Sequence, residues 1–138
     1  MKRYFSRLDE TKLLHMVVRK EEIRGRKDLI PSDNFLQCAS IQEPAGTSFR
    51  PHRHLEHNRT YEAKIAQESW VVIEGRVKCF FYDLDNTLIA VDILHPGDAS
   101  FTLYGGHTYE ILASNTLVYE YKSGPYEGQE NDKEFFND

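Results

Sequence analysis

Apolar and polar residues alternate along most of the chain between residues 35 and 124, with the period of two that half-buried β-strands show. Short apolar runs are separated by Gly, Pro, Asn and Asp residues, which favour turns. The predicted strands of this region span residues 35–41, 47–54, 67–73, 76–83, 87–94, 99–104, 107–113 and 116–122. Short strands at this spacing, with no convincing helix between them, predict an all-β sandwich, barrel or jelly roll.

The two ends of the chain break this pattern. Residues 1–34 are ambiguous, but the apolar run 13–18 ends in β-branched residues and favours a strand. We therefore predict an N-terminal extension over 1–34 with a possible extra strand, a β domain over 35–124 and a polar tail over 125–138. Phe135 and Phe136 are apolar residues of this tail, so we expect them to dock on the domain.

Composition restricts the possible partners. The chain has 138 residues, enough for one domain, and 17 basic against 22 acidic residues give a net charge of -5. An acidic chain of this kind is a poor candidate for binding nucleic acid or an anionic membrane. We predict no membrane span and no signal peptide, because no apolar run approaches ~20 residues and the basic start lacks an apolar region. Both cysteines lie inside apolar runs, which indicates reduced core thiols in a cytoplasmic protein.

The pattern His52-Arg53-His54 is the first candidate for chemistry. Pro51 disfavours a helix, and on an extended segment the two imidazoles point to the same side. Such a pair binds a divalent metal or transfers protons in some proteins and is merely exposed on a loop in others. The polar insert 55–66 follows directly and contains His57, which either enters the site or is an exposed loop histidine.

Two later strands carry residues that complete a ligand set. Alternation places Glu68 on the same face as Trp70, and His107 on the same face as Tyr109. A carboxylate on an inward apolar face is costly unless it is paired or bound to a cation. The predicted metal ligands are three imidazoles and one carboxylate, which suit a first-row divalent metal: His52, His54, Glu68 and His107.

Further residues are candidates for binding or catalysis. Arg50 shares the strand face of the histidine pair and either binds an anionic group or extends to water. Trp70, Tyr109 and Tyr119 either line a pocket or pack in the core, with Glu120 on the face opposite Tyr119. The candidates for a catalytic role are Glu68, His54 and Tyr109. We interpret His15, in the run 13–18, as a structural histidine.

The spacing of these residues resembles that of the cupins. Gly46 is followed after five residues by the histidine pair, and Glu68 is followed after six residues by Gly75. The gap between His54 and Glu68 is lengthened to thirteen residues by the insert. Pro96-Gly97-Asp98 is similar to the start of the second cupin motif, which ends at His107 without its usual proline. The segment 118–126, followed by Asp132-Lys133, resembles the WbuC-like cupins.

This resemblance implies a double-stranded β-helix, the cupin jelly-roll barrel, that holds Fe, Mn, Zn or Ni through the four predicted ligands. It implies a small-molecule substrate, a carbohydrate or nucleotide-sugar, in the biosynthesis of lipopolysaccharide, capsule or another surface polysaccharide. It also implies a homodimer. The outer face with Val71 and Ile73 needs a cover, from the other sheet, the N-terminal segment or a second subunit.

Three other functions are compatible with the same residues. The first is a metal-independent sugar ketoisomerase or epimerase that uses the histidine pair for proton transfer, as related cupins do. The second is a non-catalytic protein that binds a small ligand. The third is an Fe(II) dioxygenase, because the ligand set does not determine the metal.

Overall fold

The computed structural model describes residues 1–53, 65–123 and 133–136, which form β-strands and one short 3-10 helix, Lys20–Glu22. The all-β class is therefore confirmed for these residues. The strands are β1 Lys2–Phe5, β2 Leu13–Val18, β3 Gly25–Asp28, β4 Ala39–Gln42, β5 Glu68–Glu74, β6 Val77–Tyr82, β7 Leu88–Leu94, β8 Ala99–Thr102, β9 His107–Ile111 and β10 Leu117–Lys122. Within the described ranges, no helix has the length and hydropathy needed to cross a membrane.

Antiparallel pairing arranges the strands in two larger sheets and one hairpin. The five-stranded sheet has the order β1-β2-β8-β5-β10, the three-stranded sheet has the order β7-β6-β9, and β3 pairs with β4. From β5 onward the chain passes repeatedly between the two larger sheets: β5, β8 and β10 lie in the first, and β6, β7 and β9 in the second. Strands distant in sequence are thereby brought side by side.

The five-stranded sheet is covered on both faces. Its inner face packs against the three-stranded sheet through a buried cluster contributed by both sheets: Val17, Val72, Val77, Cys79, Phe81 and Leu94. Its outer face packs against the segment that follows β3 through a second cluster: Met16, Val18, Leu29, Ile30, Ala99, Phe101 and Leu103. Each fully buried aliphatic or aromatic side chain contributes about 1.5–3 kcal/mol by leaving water.

The N-terminal segment supplies the cover for the outer face. Leu29 and Ile30 belong to the cluster on which Val71 packs, whereas Ile73 remains 39% exposed. Residues 14–18 of β2 are all buried, since this strand has a core on each side. The predicted extra strand at 13–18 is confirmed, and it is the strand that lies between β1 and β8.

Buried acidic residues tie this segment to the rest of the fold. Asp83 is 1% exposed and accepts hydrogen bonds of 2.6 Å from the Ser6 hydroxyl and the Arg7 N–H. Arg19 donates to the carboxylate of Asp98 at 2.8 Å and also to the carboxylate of Asp92. These contacts join the loop after β1 and the end of β2 to the three-stranded sheet and its connection to β8.

Two predicted strands differ from the structure. Residues 47–53 form no strand, and the described part of the prediction 47–54 is wrong there. The prediction 35–41 is only partly right, since the strand is Ala39–Gln42 and pairs with β3. Pro44 and Pro51 lack the N–H groups that a ladder needs, and every residue from 42 to 53 is exposed, so no buried face holds this segment extended.

Candidate functional site

Glu68 and His107 meet between the two sheets. Glu68 opens β5 and His107 opens β9, and Oε1 of the glutamate lies 3.0 Å from Nε2 of the histidine. Glu68 is only 6% exposed. Because a carboxylate can only accept, Nε2 carries the proton and donates it, which leaves Nδ1 of a neutral His107 with a lone pair. That Nδ1 is buried and has no hydrogen-bond partner among the described residues.

The surroundings of Glu68 favour its charged form. Burial acts to raise the pKa of Glu68, but the hydrogen bond from His107 and the positive charges of Lys133 and Lys122 outweigh it and hold this pKa below its ordinary value. Lys122 is the direct cross-strand neighbour of Glu68 in the β5–β10 pair, which places both on one face. The site therefore contains an ionised carboxylate at neutral pH.

A stacked aromatic pair lies next to this contact. The rings of Trp70 and Tyr109 are parallel to within 10°, with centroids 4.0 Å apart. The Trp70 indole N–H is shared between Oε1 of Glu68 at 3.1 Å and Oε2 of Glu120 at 3.0 Å. The single indole donor thus connects two carboxylates, one buried and one exposed.

Tyr109 is held as a neutral phenol. Its hydroxyl lies 3.2 Å from the hydroxyl of Ser100, which is fully buried. Burial raises the pKa of Tyr109 well above its ordinary value. At neutral pH the Tyr109 hydroxyl can therefore donate a proton or a hydrogen bond, but it cannot act as a base.

Strand register explains why these residues converge. In the five-stranded sheet Trp70 pairs with Ser100 on one side and Glu120 on the other. In the three-stranded sheet His107 and Tyr109 pair with inward residues of β6. The expectations that Trp70 shares the face of Glu68, and Tyr109 that of His107, are confirmed by their mutual contacts. Facing strands of the two sheets then bring these pairs together.

His15 is a buried histidine next to the residues around Glu68. Its Nε2 lies 2.9 Å from the carbonyl oxygen of Tyr82 and must donate to it, so Nδ1 accepts from the Thr102 hydroxyl at 3.1 Å. The ring stacks on Phe81 with centroids 4.8 Å apart. Burial lowers the pKa of His15 to about 4. Thr102 is the cross-strand neighbour of both His15 and Glu68, so the buried histidine directly adjoins the site.

The other predicted site residues that the structure describes lie elsewhere. His52 is exposed on the segment 47–53, where its Nδ1 donates to the Arg50 carbonyl oxygen at 3.1 Å, and Arg50 is also exposed. His54 and His57 lie outside the described residues. Tyr119 is 54% exposed and pairs with Val71 on the outer face, away from Glu68. Within the described ranges, no three or more His, Cys, Asp or Glu residues form a group able to hold a metal ion.

Sequence reasoning missed Glu120, Lys122 and Ser100. The strand 117–122 has apolar or aromatic residues at both parities, so its pattern does not determine which face is inward. Its pairing with β5 does so, because Glu120 opposes Trp70 and Lys122 opposes Glu68. The expectation that Glu120 and Tyr119 lie on opposite faces holds, but Glu120 is the residue on the side of the site.

Comparison of the chain with protein-family models found no match. Comparisons with curated proteins and with solved structures also found none. The candidate site is therefore interpreted from its own geometry.

Proposed function

We propose that this chain is a cupin-like protein in which Glu68 and His107 are neighbouring ligands of a divalent metal. The observation that supports this is the 3.0 Å separation of Glu68 Oε1 and His107 Nε2 between the sheets. Two adjacent ligand atoms, each about 2.1 Å from an octahedral metal, are themselves about 3.0 Å apart. The donor types fit as well, because imidazole and carboxylate together bind first-row divalent metals. The proton on Nε2 of His107 would be released to solvent when the metal binds. His52 and His54 would complete the ligand set.

The strand order supports a jelly-roll barrel of the cupin type. Strands β5 to β10 are divided between two facing antiparallel sheets, and the chain crosses from one sheet to the other four times, as in double-sheet jelly rolls. Among the described residues β9 pairs only with β6, which leaves one edge of β9 for a further strand. Because His52 lies on the exposed segment 47–53, its ligation of the metal would require this segment to move to that edge when the metal binds.

The proposed substrate is a carbohydrate or nucleotide-sugar of surface-polysaccharide biosynthesis. A bound Fe, Mn, Zn or Ni would polarise a substrate carbonyl or lower the pKa of bound water. The residues of the chain then bind and orient the substrate. Glu120 presents an exposed carboxylate beside the Trp70 indole, and hydroxyl groups of a sugar donate to such an acceptor. Half-buried Tyr109 keeps the Trp70 ring in position by stacking.

Elemental analysis of protein purified without a histidine tag tests the proposal. We expect about one metal per chain after reconstitution with Fe, Mn, Zn or Ni, and its loss in Glu68→Gln, His107→Gln and His54→Gln. His95→Gln is the matched control, because His95 has a 60% exposed side chain in a turn. A metal-free wild-type protein, or full metal retention in Glu68→Gln and His107→Gln, would contradict the proposal.

The identity of the metal and the turnover separate the related functions. Iron together with dioxygen consumption would indicate a dioxygenase, and saturable sugar binding without turnover would indicate a non-catalytic binding protein. The proposal also includes a cytoplasmic homodimer, whose mass light scattering measures.

The second candidate function is metal-independent proton transfer, and it is favoured by the hydrogen bonding of Glu68 and His107. The Glu68 carboxylate accepts a hydrogen bond from the Nε2–H group of His107. The other ring nitrogen of His107, Nδ1, is buried and lacks a partner among the described residues. A carboxylate that orients an imidazole, with the second nitrogen available as a base, is an arrangement used for general acid–base catalysis. Metal-free protein that isomerises a deoxy-keto nucleotide-sugar, with activity lost in His107→Gln, would support this function over the metal-dependent one.

A further inference from the structure

The C-terminal segment Lys133–Phe136 returns to the side of the site. The Phe136 ring meets Tyr82 edge-on, with centroids 5.1 Å apart and an interplanar angle of 87°. It also covers Gly106, where an added methyl carbon would lie 2.4 Å from the Phe136 Cζ atom. The neighbouring Phe135 is 70% exposed, so Phe136 is the residue that anchors this segment.

The surface that Phe136 covers is the turn that positions His107. Gly106 immediately precedes His107, and its carbonyl oxygen accepts the Tyr82 N–H at 2.8 Å. The carbonyl of Tyr82 in turn accepts the hydrogen bond from His15. Phe136 therefore packs on the backbone connection between the buried histidine and the candidate site.

Lys133 brings a positive charge to the same place. This residue is exposed, three positions before the Phe136 anchor, and it forms no ion pair with any residue that the structure describes. Its charge acts on Glu68, together with that of the cross-strand neighbour Lys122. Arg50, for which the sequence allowed either binding of an anionic group or extension to water, lies on the exposed segment 47–53.

We propose that Lys133–Phe136 forms one wall of the site, with Phe136 as its anchor and Lys133 as the residue that attracts the anionic group of a ligand. This inference rests on the location of the site given under the proposed function, but it does not require a metal. The ligand class that follows is a small molecule with a phosphate or carboxylate group, since lysine binds such groups as a point charge.

Quenching of tryptophan fluorescence tests the wall. Trp70 is the single tryptophan of the chain and lies inside the site, so its emission reports on this place alone. Phe136→Ala should raise the quenching constant of neutral acrylamide, because the anchor is lost, whereas the adjacent Phe135→Ala should leave it unchanged. Gly106→Ala should act like Phe136→Ala, because its methyl occupies the position of the ring. Equal acrylamide quenching in wild type, Phe136→Ala and Gly106→Ala would refute the proposal that Lys133–Phe136 forms a wall of the site.

Charged quenchers test the role of Lys133. One nearby unit charge changes the local concentration of a monovalent ion by about twofold at low salt. Lys133→Gln should therefore lower iodide quenching of Trp70 by about twofold, raise caesium quenching and leave acrylamide quenching unchanged. Lys27→Gln, on exposed β3, is the control and should change none of them. Iodide quenching that is the same in Lys133→Gln and Lys27→Gln would refute anion attraction, whatever the metal analysis shows.

Discussion

His15 should make the protein lose stability as the pH falls from 7 towards 4. This imidazole is completely buried, stacks on Phe81 and bonds to the Tyr82 carbonyl and the Thr102 hydroxyl. The hydrogen bond to Thr102 needs a lone pair on Nδ1, which a protonated ring does not have. Protonation of His15 in the folded state must therefore break that contact and place a charge between the sheets.

The size of the effect follows from the two pKa values. Burial lowers the pKa of His15 from 6.5 to about 4 in the folded protein. Above pH 6.5 neither state binds the proton, so the full stability is present. Between pH 6.5 and 4 only the unfolded state binds it, so the free energy of unfolding falls as the pH falls. Because one unit of pKa shift corresponds to about 1.4 kcal/mol, the whole loss is about 3 kcal/mol, a large part of the stability of a typical domain.

Urea denaturation followed by Trp70 fluorescence at pH 7, 6, 5 and 4.5 measures this loss. His15→Gln keeps a donor for the Tyr82 carbonyl but cannot titrate, so its free energy of unfolding should depend much less on pH in this range. His95→Gln, at an exposed histidine, should follow the wild type. The carboxyl groups are the same in all three proteins, so their contribution to the pH dependence of the free energy of unfolding cancels in the comparison. Parallel stability curves for wild type and His15→Gln would refute the argument.

Three other substitutions test the framework around the site by the same denaturation assay. Asp83→Asn should cost about 2 kcal/mol, since it weakens charge-assisted hydrogen bonds to the N-terminal loop, and Asp85→Asn, at an exposed turn, should cost much less. Gly75→Ala should destabilise more than Gly46→Ala, because both have positive φ but only at Gly75 does the methyl meet backbone, at 2.7 Å. Arg19→Met should cost about 3–5 kcal/mol, because buried Asp98 loses its guanidinium partner and buried Asp92 keeps only Lys2 as its cation.

The strands that carry the contacts of the site were predictable from alternation and turn residues. The hairpin at Glu74-Gly75 is an example, since Gly75 has a φ of +79° that few other residues tolerate. Alternation also placed Trp70 with Glu68. It could not give the distance from Glu68 to His107, because that depends on the packing of one sheet on the other.

Other parts of the fold could not be predicted from the hydrophobic pattern of the sequence. β1 and β3 are short and rich in charged residues, so they lack an apolar face that a pattern could detect. The segment 47–53 shows the opposite error, because the turn residues before it and Pro51 favour an extended strand, but all of its residues are exposed. The docking of Phe136 on Gly106 depends on a contact across thirty residues of sequence, which periodicity does not encode.

The position of β2 between β1 and β8 has a consequence for any shortened version of the protein. Removal of the first 34 residues would strip β8 of its neighbour and leave a row of unsatisfied N–H and C=O groups beside exposed Phe101. An open apolar edge of that kind recruits strands from other molecules and leads to aggregation. Fragments intended for crystallisation or for fusion to other proteins should therefore retain the segment 1–34.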